Sequence, residues 1–297
     1  MRRYILRAVF NRPEMLYLSL ESEARAREEA GNPAYTTLFA VELGASAKCL
    51  EIIEKYPYPK EVVMRKTKHH GWGNILEGFK QIFDQEDVEY ALNIEDDCLL
   101  HPTYFKYMEE AFNLVKNIGF STISASRRHI ENRRPSVLKA QNLFEAPACL
   151  MGRYFFNKYV RPYATYDYYR NRQSTIHLVN KRTESFPEAK YSESKRNAFA
   201  HVGWDGLVNR LIDAAFFEEG IKSYSPFCDR QIHIGFYGQN RLGRFPSNEK
   251  NFTKRVDLLR EITSSAESMQ SYDPVYKDYV HFSSLLDDFS KPLVLDS

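Results

Sequence analysis

Long apolar runs are missing from this sequence, and so is any segment typical of a leader. No stretch approaches the roughly 18 consecutive apolar residues that a membrane span needs, so we expect no span. The apolar run at 4–10 ends at Asn11-Arg12-Pro13 without a small-residue cleavage site. That ending favours a first core strand over a signal peptide, and we therefore expect a cytoplasmic protein.

Paired cysteines are missing as well. The sequence has four scattered cysteines with no CxxC pair: Cys49, Cys98, Cys149 and Cys228. This pattern argues against a zinc site and against a disulfide framework in so long a chain, and it predicts buried free thiols. The sequence also has no internal repeat and no low-complexity segment.

The formal net charge is only +2, but the charge is unevenly spread along the chain. Residues 127–200 hold 15 Lys and Arg against 6 Asp and Glu, and aromatic residues are interleaved with them. Cations that neutralise phosphates, beside rings that stack, are typical of a nucleic-acid surface and would also serve a phosphorylated glycan. A plain solvated or oligomeric face is the alternative.

Strand and helix patterns alternate through the first 125 residues. Short apolar runs predict strands at 4–10, 36–43, 61–65, 89–94 and 120–125. Longer helical patterns lie between them, at 13–30, 46–56, 74–83 and 102–115. This alternation predicts an α/β fold in which a mixed, mostly parallel sheet is flanked by helices.

The regular alternation ends after residue 126. Beyond it we predict strands at 142–151, 221–225 and 231–234, helices at 203–217 and 254–262, and a mobile polar loop at 180–196. We therefore divide the chain into three parts. Residues 1–126 form the regular α/β part, residues 127–245 form a basic and aromatic-rich part, and residues 246–297 form a C-terminal helical tail.

Three consecutive acids, Glu95, Asp96 and Asp97, stand where the fourth predicted strand ends. In open α/β sheets, ligands bind outside the carboxyl ends of the strands. Adjacent carboxylates repel one another unless a cation compensates, and oxygen ligands suit Mg²⁺ or Mn²⁺. Such a metal would bridge the two phosphates of a nucleotide-sugar. The alternative is a solvated turn that follows a strand.

Several short segments, in their order and spacing, resemble the N-acetylglucosaminyltransferase I family and related GT-A glycosyltransferases. The resemblance covers roughly the first 125 residues and rests on the first strand with Asn11-Arg12-Pro13, on 39–44, on His69-His70-Gly71-Trp72, on 94–97 with 101–105, and on 123–126. It implies the GT-A fold and an inverting, metal-dependent sugar transfer.

The resemblance also assigns roles to residues. It implies donor contacts for Arg12, Glu42, His69, Glu95 and Asp96, with Glu42 reading the uracil of a UDP-sugar. It implies that Asp97 binds the metal. Judged from the residues alone, Arg12 fits a surface salt bridge equally well, Glu42 a solvated helix start, and His69 an ordinary loop residue, which is also our expectation for His70.

Two later segments complete the predicted site. Trp204-Asp205-Gly206 resembles the family's Trp-Asp-Asp-Trp segment, whose acid removes the acceptor proton, although Gly206 replaces the second acid. Asp205 is then the candidate general base, and an N-cap of the following helix is the alternative. His233 resembles the histidine that related enzymes return to the metal or diphosphate, and a buried strand histidine is the alternative.

Together these residues predict a glycosyltransferase that uses a nucleotide-sugar, with UDP as the expected nucleotide and Mn²⁺ or Mg²⁺ as the cofactor. We expect Arg127, Arg128 and Trp204 to contact the acceptor. The acceptor is either a hydroxymethylated pyrimidine flipped out of DNA or a glycan such as lipopolysaccharide.

Two other classes stay open. A nucleotidyltransferase usually opens with a Gly-rich loop after the first strand, and none is present here. A non-catalytic nucleic-acid-binding protein on the same fold is the other alternative.

Overall fold

The protein is built on one large sheet with helices on both faces. The computed structural model describes residues 2–126, 137–141, 144, 147–165, 171–187, 204–226, 229–233 and 294–295. Its strands are β1 (Tyr4–Val9), β2 (Thr36–Val41), β3 (Lys60–Met64), β4 (Tyr90–Asn93), β5 (Cys98–Leu100), β6 (Phe120–Ile123), β7 (Val137–Gln141), β8 (Cys149–Gly152), β9 (Lys222–Pro226), β10 (Gln231–His233) and β11 (Val294–Leu295).

The helices follow the strands in regular alternation over the first 115 residues. They are α1 (Pro13–Glu29), α2 (Ala47–Glu54), α3 (His70–Phe83), α4 (Tyr104–Val115), α5 (Arg153–Phe155), α6 (Arg172–Thr183) and α7 (Trp204–Glu219). A π-helical turn (Phe156–Val160) and a 3₁₀ turn (Arg161–Tyr163) continue α5. None of the helices in the described part of the chain is both long and apolar enough to cross a membrane.

The strand order places a topological switch point between β1 and β4. In the described residues the large sheet runs β11-β7-β9-β6-β8-β4-β1-β2-β3, and β5 pairs with β10 in a separate two-stranded sheet. β1, β2, β3 and β4 are parallel, whereas β8 is antiparallel to both β4 and β6. The chain builds outward from β1 to β3 and then returns to the other side of β1, so a crevice opens beyond the carboxyl ends of β1 and β4.

Successive side chains of β1 point to opposite faces of the sheet and pack against different helices on each face. Tyr4 and Leu6 pack in a buried cluster with α3 and α7, whereas Ile5 packs in a cluster with α4. Val9 lies in a third cluster with residues of α1 and α2. The two-residue period of a strand produces this division, and it confirms the predicted α/β class with a mixed, mostly parallel sheet flanked by helices.

Local signals in the sequence locate the helix starts. Pro13 stands in the first turn of α1, where its missing N–H leaves no helical hydrogen bond unmade. Ser46 caps α2, because its side chain accepts a hydrogen bond from the backbone N–H of Cys49 at 3.2 Å. Both helices therefore begin close to the predicted residues.

Three of our element predictions differ from the structure. Helix α3 begins at His70 rather than at Asn74, so the His69-His70-Gly71-Trp72 stretch forms its start. Residues 180–183, predicted as loop, end the unpredicted helix α6. Strand β7 was also missed, and the predicted strand at 142–151 is only β8 at its end. The predicted helix at 254–262 lies outside the described residues.

Helix α3 lies so close to β1 that one glycine has no room for a side chain. A Cβ at Gly78 would overlap with Leu6 Cδ1 and would lie 3.0 Å from Leu6 Cδ2. Leu6 is fully buried, so its side chain has little room to move. We expect Gly78→Ala to lower the free energy of unfolding by about 1–3 kcal/mol, because overpacking outweighs alanine's higher helix propensity.

The matched control for this prediction is Gly71→Ala on the same helix. A Cβ at Gly71 meets no atom within 4 Å, so this variant should be as stable as the parent or more stable. Urea denaturation of both variants measures the difference. Equal stability of the two variants would show that the α3–β1 contact yields without cost.

Candidate functional site

The acidic triplet lies at the switch point, directly beyond β4. The Ile94 N–H donates to the Leu6 carbonyl at 3.0 Å, which continues the β4–β1 pairing, and the chain then turns through Glu95, Asp96 and Asp97. We call residues 95–97 the acidic loop. Asp96 and Asp97 are buried, and Glu95 is half-buried.

Arg12 lies between β1 and α1, and its side chain forms ion pairs with the acidic loop beyond the neighbouring strand β4. Its Nε lies 3.1 Å from Asp96 Oδ2, its Nη2 bonds Asp96 Oδ1, and its Nη1 lies 2.5 Å from Asp97 Oδ2. A single guanidinium thus spans two neighbouring carboxylates. The structure brings together three of the predicted site residues, Arg12, Asp96 and Asp97. In the sequence, Arg12 is 84 residues from Asp96 and 85 residues from Asp97.

Burial and opposite charge act against each other in this cluster. Burial raises the pKa of the Asp96 carboxyl, Arg12 opposes that rise, and the nearby Asp97 adds to it. For Arg12, burial alone would lower the pKa, but the charges of Asp96 and Asp97 outweigh it and raise the guanidinium pKa. Arg12 therefore stays protonated beside the acidic loop.

Glu42 and His69 meet at the same edge of the sheet, beyond β2 and β3. The Glu42 carboxylate accepts the His69 backbone N–H, at 3.1 and 3.2 Å to its two oxygens, and also the Leu43 N–H at 3.0 Å. The His69 ring holds the Thr67 carbonyl at 2.8 Å through Nδ1. Glu42 thus accepts backbone donors at the start of α3, and the two residues predicted to read the nucleotide are neighbours.

His70 adopts a backbone conformation that is uncommon for a residue with a side chain. Its φ is 60°, in the left-handed region, and its side chain is exposed at the first residue of α3. The sequence analysis treated His70 as a loop residue, and its place in a helix corrects that prediction.

Strand β10 brings His233 back to the acidic loop. It pairs with β5 in antiparallel register, so that His233 is the partner of Cys98, the residue that follows Asp97. The backbone of His233 therefore lies beside the residue after the acidic loop, and its predicted role at the metal or diphosphate stays a prediction.

A buried polar cluster fixes β10 in place. Arg230, just before β10, donates from Nη1 to Thr103 Oγ1 at 2.8 Å, and its carbonyl accepts the His101 N–H at 2.9 Å. Thr103 in turn donates its N–H to His101 Nδ1 at 3.2 Å. Burial, followed by the charge of Arg230, lowers the pKa of His101 to about 3, so this ring is neutral at pH 7.

A second buried cluster supports the acidic loop from within the protein, and the sequence analysis missed it. Arg7 of β1 bonds Glu23 of α1 at 2.6 Å, and both side chains are fully buried. Arg7 Nη1 also lies 3.4 Å from the Glu95 carbonyl, and Ser19 Oγ donates to the Cys98 carbonyl at 2.6 Å. The main chain on both sides of Asp96 and Asp97 is therefore held by buried side chains.

The remaining predicted residues are only partly described. Trp204 and Asp205 are the first two residues of α7, at the end where a helix leaves backbone N–H groups without helical partners. Arg127 and Arg128 lie outside the described residues.

Several described aromatics of the basic, aromatic-rich segment lie in the core rather than on a stacking surface. Phe155, Phe156 and Tyr159 are fully buried and pack against α3 and α7. Lys158 pairs with Glu219, and Arg161 Nη1 pairs with Asp84 at 2.6 Å. These three rings therefore belong to the core, whereas Tyr154 of the same segment is 56% exposed.

Arg153 of this segment lies at the opposite end of β4 from the acidic loop. The Arg153 N–H donates to the Glu89 carbonyl at 2.8 Å, and its Nη1 donates to the Gln85 carbonyl at 3.0 Å, both before β4 begins. The acidic loop follows the other end of β4. The charge of Arg153 thus lies away from the carboxyl ends of the strands.

The donor set at the acidic loop fits a hard divalent cation. Asp96 and Asp97 supply carboxylate oxygens, and Mg²⁺ or Mn²⁺ is commonly held by one or two carboxylates together with substrate phosphates. In the described part of the chain, no group of three or more His, Cys, Asp or Glu side chains is arranged to hold a metal ion. A metal held there would therefore complete its coordination with water or with the phosphates of a bound molecule.

Comparison with known proteins gives matches only among solved structures. No protein-family model matches the sequence, and no curated protein matches it. Among solved structures, S. aureus TarS 1–349 has a TM-score of 0.39 and 11% identity, over 53% of this chain and 48% of that chain.

Another structure of S. aureus TarS has a TM-score of 0.38 and 12% identity, over 54% of this chain and 30% of that chain. A197 from STIV has a TM-score of 0.32 and 11% identity, over 55% of this chain and 70% of that chain. The chain thus spans less than half the length of the TarS chains that it matches. The resemblance to the N-acetylglucosaminyltransferase I family stays a prediction.

Proposed function

We propose that this protein is a glycosyltransferase that takes its sugar from a nucleotide-sugar bound at the acidic loop, on a GT-A type of fold. The observation that carries the proposal is the meeting of Arg12 with Asp96 and Asp97 at the switch point between β1 and β4. Ligands of open α/β sheets bind at such a crevice, and a cation beside paired carboxylates suits a phosphate group held through a metal.

Each of the assembled residues has a chemical role in this proposal. Asp97, with Asp96 and with His233 from β10, would hold Mn²⁺ or Mg²⁺. The metal, when bound, supplies charge neutralisation of the diphosphate leaving group. Arg12 offers a planar guanidinium to the same phosphates. Glu42 and His69 would face the nucleotide base, as the family resemblance implies, and Glu95 would complete the donor pocket.

The acceptor side of the proposal rests on the start of α7. Asp205 would take the proton from the acceptor hydroxyl as that oxygen attacks the anomeric carbon and the nucleotide departs. This gives inversion at the anomeric carbon, by analogy with the resembled family. Trp204, Arg127 and Arg128 would line the acceptor side.

The acceptor that we propose is a glycan hydroxyl. DNA was suggested by a basic face with stacking aromatics, but Phe155, Phe156 and Tyr159 are buried in the core, and Lys158 and Arg161 are paired with acids. Hydroxymethylated DNA is therefore included as a separate arm of the experiment below.

A thermal-shift experiment tests the donor side directly. The protein is heated with UDP, with a panel of nucleotide-sugars, and with Mn²⁺, each alone and in combination. We expect stabilisation by a nucleotide only when the metal is present, since a ligand that binds the folded state raises the melting temperature. Equal stabilisation by nucleotide with and without Mn²⁺ would argue against the metal site.

Nucleotide release tests the acceptor side. The protein is incubated with the stabilising nucleotide-sugar and Mn²⁺, with glycan acceptors or with hydroxymethylated DNA. Release that responds to a glycan and ignores DNA supports the proposal, whereas release that requires DNA reverses the choice of acceptor. Salt-sensitive DNA binding without any effect of metal or nucleotide-sugar would instead indicate a non-catalytic nucleic-acid-binding protein.

A further inference from the structure

Arg12 and a bound divalent cation cannot both keep the contacts that the structure shows at the acidic loop. Arg12 uses three nitrogen atoms on two carboxylates, with Nε and Nη2 on Asp96 and Nη1 on Asp97 at 2.5 Å. A metal on Asp97 would therefore stand beside a guanidinium that already bonds the same carboxylate. Two cations so close repel each other, and the interior screens that repulsion less than bulk water does.

We propose that Arg12 is a built-in counter-ion of the acidic loop, which the metal displaces from Asp97 and which then binds the diphosphate of the donor. This inference rests on the proposed function, because it takes Asp97 as the metal ligand. It adds a competition: Arg12 opposes metal binding until an anionic ligand draws its charge away from the carboxylate.

The packing shows which partner of the ion pair is free to move. The side chains of Asp96 and Asp97 are only 7% and 3% exposed, whereas that of Arg12 is 20% exposed. Arg7 and Ser19 also hold the main chain of the acidic loop through its carbonyls. An exchange of partners is therefore made by the Arg12 side chain, while the carboxylates stay in place.

The position of Arg12 in the chain allows this movement. It is the residue before α1, with a φ of −119° and a ψ of 65°, so its backbone is not part of the helix. Arg12 directly precedes the first turn of α1, and the positive end of a helix favours an approaching phosphate. A guanidinium released from Asp97 thus stays at the crevice where the diphosphate would bind.

Competition of this kind makes metal and nucleotide binding cooperative. A diphosphate that engages Arg12 removes a positive charge from the metal's carboxylate, so it tightens metal binding. By thermodynamic linkage, the metal then tightens nucleotide binding by the same factor. In addition, a variant with an uncharged residue at position 12 should bind the metal, in the absence of nucleotide, more tightly than the parent does. Loss of a residue that helps to bind the metal would have the opposite effect.

The test is a Mn²⁺ titration without nucleotide, followed by the paramagnetic signal of free Mn²⁺. Arg12→Gln keeps an amide that can bond Asp96 but removes the charge, and we expect it to tighten Mn²⁺ binding about tenfold. Arg12→Lys keeps the charge and should stay close to the parent affinity. UDP should tighten Mn²⁺ binding in the parent protein more than in Arg12→Gln.

The matched control is Arg3→Gln. Arg3, near the start of β1, pairs with Glu109 at 2.5 Å with both side chains 33% exposed, so it is a similar ion pair far from the carboxyl edge. Its Mn²⁺ affinity should equal that of the parent. Melting curves establish that each variant is folded before it is titrated. If Arg12→Gln is not folded, Arg12→Ala, which also removes the charge, replaces it in the titration.

The outcomes separate this inference from the proposed function. If Asp97→Asn abolishes Mn²⁺ binding while Arg12→Gln binds Mn²⁺ as the parent does or more weakly, the competition is overturned and the metal site stands. If Mn²⁺ binding does not depend on Asp97 in any variant, the proposed function and this inference both fail.

Discussion

Asp97→Asn should reduce donor-dependent nucleotide release by about 100-fold or more, the loss that follows removal of a group that stabilises leaving-group charge. Asparagine keeps the size of the side chain and an oxygen for Arg12, but it offers no negative charge to a divalent cation. The variant should therefore fold normally and lose the Mn²⁺-dependent shift in melting temperature with nucleotide. Single-turnover nucleotide release, with saturating donor and Mn²⁺, measures the loss.

Asp84→Asn is the matched control for this prediction. Asp84 ends α3 at the opposite edge of the sheet, pairs with Arg161, and has a side chain that is 63% exposed. Its variant should retain the parent rate. An Asp97→Asn protein that turns over at the parent rate in the presence of Mn²⁺ would remove the acidic loop from the mechanism.

The α/β alternation of the first 115 residues could be predicted because each element carries its own local signal. Pro13 and Ser46 mark helix starts through hydrogen bonds or their absence within one turn. The buried strands β1, β2 and β4 are short apolar runs whose pattern does not depend on distant residues. Local signals of this kind predict where elements lie.

Strand order is not local, and this limited what the sequence could predict about the second half of the chain. β7 and β8 are held by pairing with β9, β4 and β6, strands that lie far away in sequence. Helix α6 is polar along most of its length and packs against α7, so its sequence resembles a loop. The environment supplied by distant elements overrides weak local preferences in such segments.

The candidate site was predictable as a set of chain ends, but its internal pairing was not. Parallel strands end at one edge, so Arg12, Glu42 and the acidic loop were expected to lie at that edge. No pattern in the sequence indicated that Arg12 would bond both Asp96 and Asp97, or that Glu42 would accept the His69 N–H. Side-chain pairing depends on distances of a few ångströms that strand order does not specify.

In the aromatic segment, a function was inferred from composition alone, and the structure does not support that inference for several of its rings. The rings of Phe155, Phe156 and Tyr159 stack in the core, whereas the composition of residues 127–200 had suggested a surface for nucleic acid or a phosphorylated glycan, with a plain solvated or oligomeric face as the alternative. Composition does not distinguish a buried ring from an exposed one, because both environments favour aromatic residues. Arg7 carried a better signal, since a lone arginine in an apolar strand must find a buried partner.

Glu23→Gln should lower the free energy of unfolding by about 3–5 kcal/mol, the cost of removing one member of a buried ionic cluster. Glu23 is fully buried and bonds Arg7 at 2.6 Å and Arg27 at 2.8 Å, while Tyr56 donates to it at 2.5 Å. Glutamine leaves the two buried guanidinium groups without their shared carboxylate. Because Arg7 and Ser19 also hold the acidic loop, the same variant should bind nucleotide more weakly.

The pH dependence of this loss identifies its origin. Burial alone would raise the pKa of Glu23, but Arg7 and Arg27 outweigh it and the net shift is downward. A carboxyl with a lowered folded-state pKa stabilises the protein above its unfolded value of about 4.3, and that stabilisation is lost as pH falls through the folded-state pKa. Urea denaturation of the parent and Glu23→Gln should therefore show the largest difference near pH 7 and a smaller one well below pH 4.

The exposed Glu28 of the same helix supplies the control, since Glu28→Gln should change stability by less than about 0.5 kcal/mol at either pH. A difference between the parent and Glu23→Gln that does not change with pH would assign the loss to packing rather than to the buried charges.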